Sequence, residues 1–273
     1  MSSTITLDAT KTKHRAMWAL GDYDRVATEV VAPLGRTLAD AAGIGPGQDV
    51  LDVAAGSGNA SLPAAETGAS VTATDLTPEL LQIGRERSRG LEITWQEADA
   101  EHLPFPDQSF DAVLSCVGVM FAPFHQPVCD ELVRVTRPGG RVALINWTPR
   151  GFIGQLFAAL KPFVPDPPAG ASPGPLWGDE SHVRELFGER VEELTLERRT
   201  LPVSHFGSGA DFRDYFAAYY GPTIAAYRNV ADDPERTREL DDALVAVAER
   251  FGAATGAMEW EYLLAVAPVA PRR

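Results

Sequence analysis

Three acidic residues, Asp52, Asp75 and Asp99, follow apolar runs at positions where a ligand could bind. Asp52 lies within the run 50–54, which leads directly into a glycine-containing loop. Glycine lets a backbone approach a ligand closely, and the N–H groups of such a loop point beyond the strand end. Asp75 ends the second run, where an acid can bind both hydroxyls of a ribose. Asp99 follows the third run, where its carboxylate can accept a hydrogen bond from an exocyclic amine such as adenine N6.

The loop itself argues against two common phosphate sites. A P-loop requires GxxxxGK[ST], and no lysine lies near. A GxGxxG dinucleotide loop would need glycine where the chain has Ser61. Asp52 is unfavourable beside a pyrophosphate but favourable beside an ammonium group. Taken singly, each acid could be a helix cap or a loop residue; together, sites for an ammonium group, a ribose and an adenine describe S-adenosylmethionine.

The elements that must position these acids form an alternating pattern. Apolar runs predict five strands, at 49–54, 70–74, 91–96, 110–116 and 141–147. Helices are predicted between them, at 58–67, at 78–89 and around the stripe Val128, Leu132 and Val135, which ends at a turn over 137–140. Strands alternating with helices indicate βαβ units and a parallel sheet, so the fold class is α/β.

The flanking regions differ in composition. Before the sheet, 14–42 has an amphipathic helical pattern, and after it a proline-rich loop occupies 161–175. Beyond that loop we expect elements in the order helix, strand, helix, helix and strand, at 179–187, 191–203, 209–220, 233–252 and 257–267.

Four segments together resemble a known family. They are "VLDVAAGSGNAS", "VTATD", "EADAEHLPFPDQSFDAVLS" and "ELVRVTRPGGRVALINW", and they look like the successive motifs of class I S-adenosylmethionine-dependent methyltransferases. Within that family the nearest likeness is to the ubiquinone/menaquinone biosynthesis methyltransferases. The resemblance covers about 50–147 and departs from the family pattern at Ala54, where the family has glycine.

The resemblance implies a Rossmann-like, doubly wound sheet of seven strands, the last antiparallel, with a helical lid. It divides the chain into N-terminal lid helices (1–45), an S-adenosylmethionine-binding core (46–150), and a region that completes the sheet and carries an inserted helical cap over the acceptor site (151–273). The residues that it assigns to the cofactor, with S-adenosylhomocysteine as product, are Trp18, Tyr23, Asp52, Ala54, Ala55, Gly56, Gly58, Asp75, Leu76, Asp99, Ala100 and Ser115. For Trp18 and Tyr23 the alternative is that two aromatic rings simply pack a helix onto the sheet.

The acceptor site is less defined in the sequence. His125 follows the fourth strand and is the candidate general base; the alternative is an exposed histidine near a helix N-terminus. The candidate pocket residues are apolar or aromatic: Met120, Phe121, Trp147, Trp177, Phe212, Tyr219 and Tyr220. An aromatic pocket favours a small, hydrophobic or aromatic acceptor, although a stripe such as Phe212 to Tyr220 is more often core.

Composition excludes several other classes. A formal net charge of −14 and a sequence pI near 4.8 disfavour nucleic acid and anionic membranes as partners. Two cysteines without CxxC spacing and five scattered histidines predict no metal site. With no apolar leader in the sequence, we expect a cytoplasmic monomer or homodimer that acts on a small molecule. The alternatives are a non-catalytic S-adenosylmethionine-binding protein and, less favoured, an NAD-dependent oxidoreductase.

Overall fold

The structure is a computed structural model that describes residues 9–270. Its strands are β1 (Asp49–Val53), β2 (Ser70–Asp75), β3 (Ile93–Glu97), β4 (Phe110–Cys116), β5 (Thr136–Trp147), β6 (Thr195–Val203) and β7 (Met258–Pro268). Its helices are α1 (Ala9–Trp18), α2 (Tyr23–Glu29), α3 (Pro33–Ala41), α4 (Ser61–Ala65), α5 (Pro78–Arg87), α6 (His125–Val135), α7 (Phe152–Leu160), α8 (Glu180–Phe187), α9 (Gly209–Tyr219), α10 (Gly221–Val230) and α11 (Pro234–Arg250).

The seven strands form one sheet in the order β3-β2-β1-β4-β5-β7-β6. Strands β1 to β5 pair in parallel, whereas β7 runs antiparallel to both β5 and β6. The predicted α/β class, the seven strands and the antiparallel last strand are therefore confirmed. The strand order reverses between β1 and β4, the point at which ligands bind in open α/β sheets.

The centre of the sheet is covered on both faces. Val50, Leu51 and Val53 of β1 are at most 1% exposed, and so are Val113 and Leu114 of β4. A continuous apolar run is what a doubly covered parallel strand requires. Helices α3 and α6 pack on β4 and β5, and α4 and α5 pack on β2 and β3.

Several predicted boundaries were wrong, for local reasons. The stretch 14–42, predicted to be helical, contains the end of α1, all of α2 and all of α3, with Gly21, at φ 69°, between the first two. Residues 137–140, predicted to form a turn, belong to β5. This strand begins at Thr136, which pairs with Phe110, and the pairing register shifts between Phe110 and Ala112. Helix α7 was missed because its sequence, FIGQLFAAL, has little polar periodicity. Helix α10 was missed because its Gly221-Pro222 start resembles a stop signal.

The N-terminal helices and the inserted helices contact each other above the sheet. The N–H of Asp22 donates to the carbonyl of Tyr219 over 3.1 Å, next to an isolated β-bridge between Gly21 and Tyr220. The Arg25 guanidinium donates to the Tyr219 hydroxyl over 2.8 Å and lies over the ring of that tyrosine. Helices α2 and α9 are therefore joined by both backbone and side-chain contacts. Within residues 9–270, no helix has the length and apolar character needed to cross a membrane.

Candidate functional site

The loop after β1 has an unusual backbone. Ala54, Gly56 and Gly58 have φ values of 54°, 57° and 97°, in the region that costs a residue with a Cβ roughly 1–2 kcal/mol. Ala54 bears that cost at the position where the family has glycine. The segment after β4 passes so close that a Cβ on Gly118 would lie 2.3 Å from the Ala54 carbonyl oxygen. The loop and the end of β4 therefore form one tightly packed surface.

Asp75 orders this loop from the end of β2. Its carboxylate accepts a hydrogen bond from the Gly56 N–H and another from the Thr77 N–H, each over 2.8 Å. Burial raises the pKa of Asp75, although these backbone hydrogen bonds act in the opposite direction. The side chain also lies in the wall of a cavity above the loop. Asp75 is thus able to position the loop and face a ligand.

Asp52 lies behind the loop rather than in that cavity. It is fully buried, and its Oδ2 accepts a hydrogen bond from the Ser61 hydroxyl over 2.6 Å. Its Oδ1 has no hydrogen-bond partner among the described residues. Burial raises the pKa of Asp52 to about 7, despite the Ser61 hydrogen bond. Asp52 does not line the cavity, since its side chain contacts Ser61 at the start of α4, and its contact with the cofactor stays a prediction.

The cavity above the loop, here called the cofactor cavity, lies at the carboxyl edge of β1, β2 and β4. Nine of the twelve residues predicted for the cofactor line it: Trp18, Tyr23, Ala54, Ala55, Gly56, Asp75, Leu76, Asp99 and Ala100. The other three, Asp52, Gly58 and Ser115, do not.

Packing explains the two remaining exceptions. A Cβ on Gly58 would lie 2.7 Å from the ring of Trp95, so this glycine accommodates a neighbouring side chain. The Ser115 hydroxyl donates to the Val53 carbonyl over 2.7 Å and accepts from the Val119 N–H over 3.0 Å. Ser115 thus fixes the turn after β4 without reaching the cavity.

A buried ion pair at one end of the cofactor cavity was missed by sequence reasoning. The Lys11 ammonium of α1 contacts Asp99 and lies 2.7 Å from the Glu101 carboxylate. Burial alone would lower the pKa of Lys11, but the hydrogen bonds to the two acids raise it overall. Asp99, Glu101 and His102 place potential metal-ligand atoms within 4.8 Å of one another, but Lys11 already supplies a cation to both carboxylates. Nothing in the spacing of Lys11 could have predicted this contact.

Aromatic rings cover the cofactor cavity. The Trp18 ring lies 4.5 Å from that of Phe121 and 5.2 Å from that of Tyr23, measured between centroids. A Cβ on Gly56 would be 3.7 Å from the Tyr23 ring, so this ring lies directly over the loop. Trp18 and Tyr23 therefore do both things that the sequence analysis treated as alternatives: their rings pack the N-terminal helices, and they line the cofactor cavity.

A second, smaller cavity, here called the apolar chamber, adjoins the first. Its ten lining residues are Tyr23, Val26, Val31, Val117, Phe121, Trp147, Ile153, Phe216, Tyr220 and Trp260. Tyr23, Val117 and Phe121 also line the cofactor cavity. Of the residues predicted for the acceptor, Phe121, Trp147 and Tyr220 line the chamber.

The other four predicted acceptor residues do not line either cavity. Met120, Trp177 and Phe212 are at most 1% exposed and belong to the core. The Tyr219 hydroxyl accepts the hydrogen bond from Arg25 and stabilises the lid. The aromatic periodicity of 212–220 therefore marks mainly core, although Phe216 and Tyr220 of that stripe also line the chamber. No motif pointed to Trp260 as a chamber residue.

The structure does not bring His125 into either cavity. Its side chain is buried at the start of α6, where Nδ1 lies 2.9 Å from Nε2 of His182. Burial and the neighbouring His182 lower the pKa of His125 to about 4. The alternative of an exposed histidine was therefore wrong. A general base at this position would be separated from the cofactor cavity.

The sequence and the fold were compared with those of known proteins. Residues 51–144 match a family model described as a methyltransferase domain. An uncharacterised protein of Mycobacterium tuberculosis is 53% identical over 264 residues, which are 96% of this chain and 95% of the relative. A demethylmenaquinone methyltransferase of Tropheryma whipplei is 37% identical over 124 residues, which are 45% of this chain and 52% of that enzyme. The crystal structure of the Bacillus subtilis protein YcgJ has a TM-score of 0.59 at 17% identity, covering 87% of this chain and 99% of that one.

Proposed function

The chain belongs to the class I S-adenosylmethionine-dependent methyltransferases, and on that premise we propose that it methylates a small, hydrophobic or aromatic molecule. The observation that carries the proposal is the juxtaposition of two cavities. One is lined by charged side chains and loop amides, the other by uncharged and mainly apolar residues, and they share Tyr23, Val117 and Phe121.

The residues of the first cavity fit S-adenosylmethionine. The positive-φ loop Ala54–Gly58 leaves room for the methionine part, and the Asp75 carboxylate is available to the ribose hydroxyls. Asp99 and the Ala100 N–H would receive the adenine, and Trp18 and Tyr23 would cover the ligand. When bound, the cofactor supplies a methyl group already activated by its positively charged sulfur.

The chain's own residues then have two tasks, alignment and exclusion of water. Alignment of two reactants can contribute about 7–11 kcal/mol to lowering a barrier. Phe121 and Tyr23 lie at the boundary of the two cavities, where an acceptor and the methyl group would meet. The hydrogen bond from Arg25 to Tyr219 joins α9 to α2, the helix that contributes Tyr23 to this boundary.

The acceptor is proposed to be a small molecule and not a nucleic acid. The net charge of −14 opposes a polyanion. None of the ten chamber residues is charged, and burying an unpaired charge among such residues is expensive. The atom that receives the methyl group is left open in this proposal.

The test has two stages. Calorimetric titration with S-adenosylmethionine and S-adenosylhomocysteine should give saturable binding of both. Incubation with methyl-labelled S-adenosylmethionine and a panel of quinols, phenols and polyketides should then give a labelled acceptor. Tight binding of NAD with none of S-adenosylmethionine would instead favour the oxidoreductase alternative. Cofactor binding without turnover across the panel would favour a non-catalytic binding protein.

A further inference from the structure

Helix α1 buries a charged side chain where a short helix would normally bury an apolar one. Of its ten residues, Ala9–Trp18, which all belong to the described part of the chain, only Lys11 is buried. A helix of this length usually owes its stability to an apolar face packed against its neighbours. Because the buried residue is a lysine, the docking of this end of α1 depends on the acids that its ammonium group meets.

These acids belong to the segment that follows β3. The Lys11 ammonium contacts the Asp99 carboxylate and lies 2.7 Å from the Glu101 carboxylate, and the three side chains are 9%, 14% and 4% exposed. Asp99 also accepts a hydrogen bond from the Glu101 N–H over 3.0 Å. Glu101 accepts one from the Phe124 N–H over 3.1 Å. Backbone groups therefore hold both acids in place, and they form a preformed site for Lys11.

The same side of α1 lines the cofactor cavity. Lys11, His14 and Trp18 are spaced by three and four residues, so they lie on one face of the helix, and all three are in the cavity wall. The Trp18 end of α1 is held by aromatic rings, with the centroids of Phe121 and Tyr220 at 4.5 and 5.8 Å. A ligand in the cavity therefore faces a helix that rings hold at one end and charges hold at the other.

The second ion pair of α1 differs in burial and position. The Arg15 guanidinium lies 2.8 Å from the Glu97 carboxylate, but the two side chains are 35% and 31% exposed, and Arg15 does not line the cavity. Exposed ion pairs of this kind contribute little. Removing one partner of a buried pair, in contrast, leaves a charge buried and unpaired, which is costly. Lys11 is therefore the charge on which the docking of α1 mainly depends.

We propose that Lys11 is a positioning residue that fastens α1 over the end of the cavity assigned to the adenine, and that bound cofactor leaves after Lys11 has separated from Asp99 and Glu101. This inference rests on the proposed function, which it deepens by naming the contact that sets how long the cofactor stays bound. Lys11 acts through the position of α1 and of the two acids, and takes no part in methyl transfer.

Stopped-flow displacement of bound S-adenosylhomocysteine measures this lifetime. Lys11→Met keeps a long unbranched side chain but removes its charge, and should release S-adenosylhomocysteine at least about tenfold faster than the wild type, because loss of a buried charge partner acts mainly on dissociation. Lys11→Arg, which restores a positive charge, should be closer to the wild type than Lys11→Met is. Arg15→Met is the matched control on the same helix, and its release rate should stay within about twofold of the wild type.

Hydrogen exchange measured by mass spectrometry shows whether the effect passes through α1. In the wild type, S-adenosylhomocysteine should slow amide exchange in peptides that cover 9–18. In Lys11→Met this protection of 9–18 should be lost, while the loop after β1 remains protected by the ligand. If Lys11→Met does not fold, the wild type alone decides, since the inference requires that the ligand protects α1.

The inference is overturned if Lys11→Met releases S-adenosylhomocysteine at the wild-type rate, if Arg15→Met releases it as fast as Lys11→Met, or if the ligand leaves exchange in 9–18 unchanged in the wild type. Each of these results still requires that S-adenosylhomocysteine binds, so each leaves the proposed function standing. Failure of the wild type to bind S-adenosylhomocysteine at all would end the proposed function and this inference together.

Discussion

The cofactor cavity and the apolar chamber share three residues but are built by different means. The carboxylates of the cofactor cavity, Asp75, Asp99 and Glu101, end or closely follow parallel strands, and loop amides complete this part of its wall. The chamber has no charged residue and draws its walls from Tyr23 in α2 to Trp260 in β7. A strand-end site is therefore encoded locally, whereas the chamber exists only after distant segments have packed together.

The largest expected effect tests whether Phe212 belongs to the core and not to a binding surface. Phe212 is fully buried, with ring centroids of Phe216 and Phe152 at 4.2 and 5.0 Å. Phe212→Ala should lower the free energy of unfolding in urea by about 3–5 kcal/mol, because it leaves a cavity. Phe212 lines neither cavity. Affinity for S-adenosylmethionine, measured below the unfolding transition, should therefore stay within about twofold of wild type. A tenfold loss of affinity would return Phe212 to the binding surface.

Asp75→Ala addresses the cofactor cavity. The substitution removes the acceptor of two backbone hydrogen bonds as well as the proposed ribose contact, and charge-assisted bonds are worth about 1.5–3 kcal/mol each. Calorimetry should show at least a roughly hundredfold weaker affinity for S-adenosylmethionine.

Asp111→Ala is the matched control for Asp75. Asp111 accepts hydrogen bonds from the Asp49 N–H and from Arg137 at the opposite edge of the sheet. Its replacement should affect stability but not affinity for S-adenosylmethionine. Equal affinities for the two variants would reject the ribose assignment.

Asp52 should make stability depend on pH. Its pKa is about 7 in the folded chain against an ordinary value of 3.8, so between these values the folded chain retains a proton that the unfolded chain has lost. The stabilisation is present below the lower value and is lost as the pH rises through the upper one. Between pH 5 and 7.5 the wild type should lose about 2.5 kcal/mol of unfolding free energy relative to Asp52→Asn. Parallel curves for the two proteins would contradict this assignment.

His125→Gln should have the smallest effect on binding. Because His125 lies outside both cavities, affinity for S-adenosylmethionine should change by less than about twofold. In the wild type, NMR titration should find His125 neutral down to about pH 5, as expected for a pKa near 4. A strong loss of affinity in the variant would bring His125 back as a ligand-binding residue.

Strands and strand-end residues were predictable because they depend on short-range pattern. The strands β1 and β4 have short apolar centres, at 50–51 and 112–114, and Asp75 and the loop after β1 follow from chain position alone. The contacts of Lys11 and the position of Trp260 in the chamber wall were not predictable, since each joins segments far apart in sequence. The position of the Asp52 side chain was not predictable for another reason: the residue type was informative, but only the Ser61 contact reveals which way the side chain points.

The insertion of β7 between β5 and β6 has a consequence for synthesis. As the chain emerges from the ribosome, β1 to β4 and their strand-end acids are complete by Cys116. Strand β5 pairs with β4 on one side only, and β6 has no strand partner, until residues 258–268 are made and pair with both. Trp260 lies in that strand, so a nascent chain has all residues of its charged cavity once Pro123 is made, and those of its second cavity only once Trp260 is made.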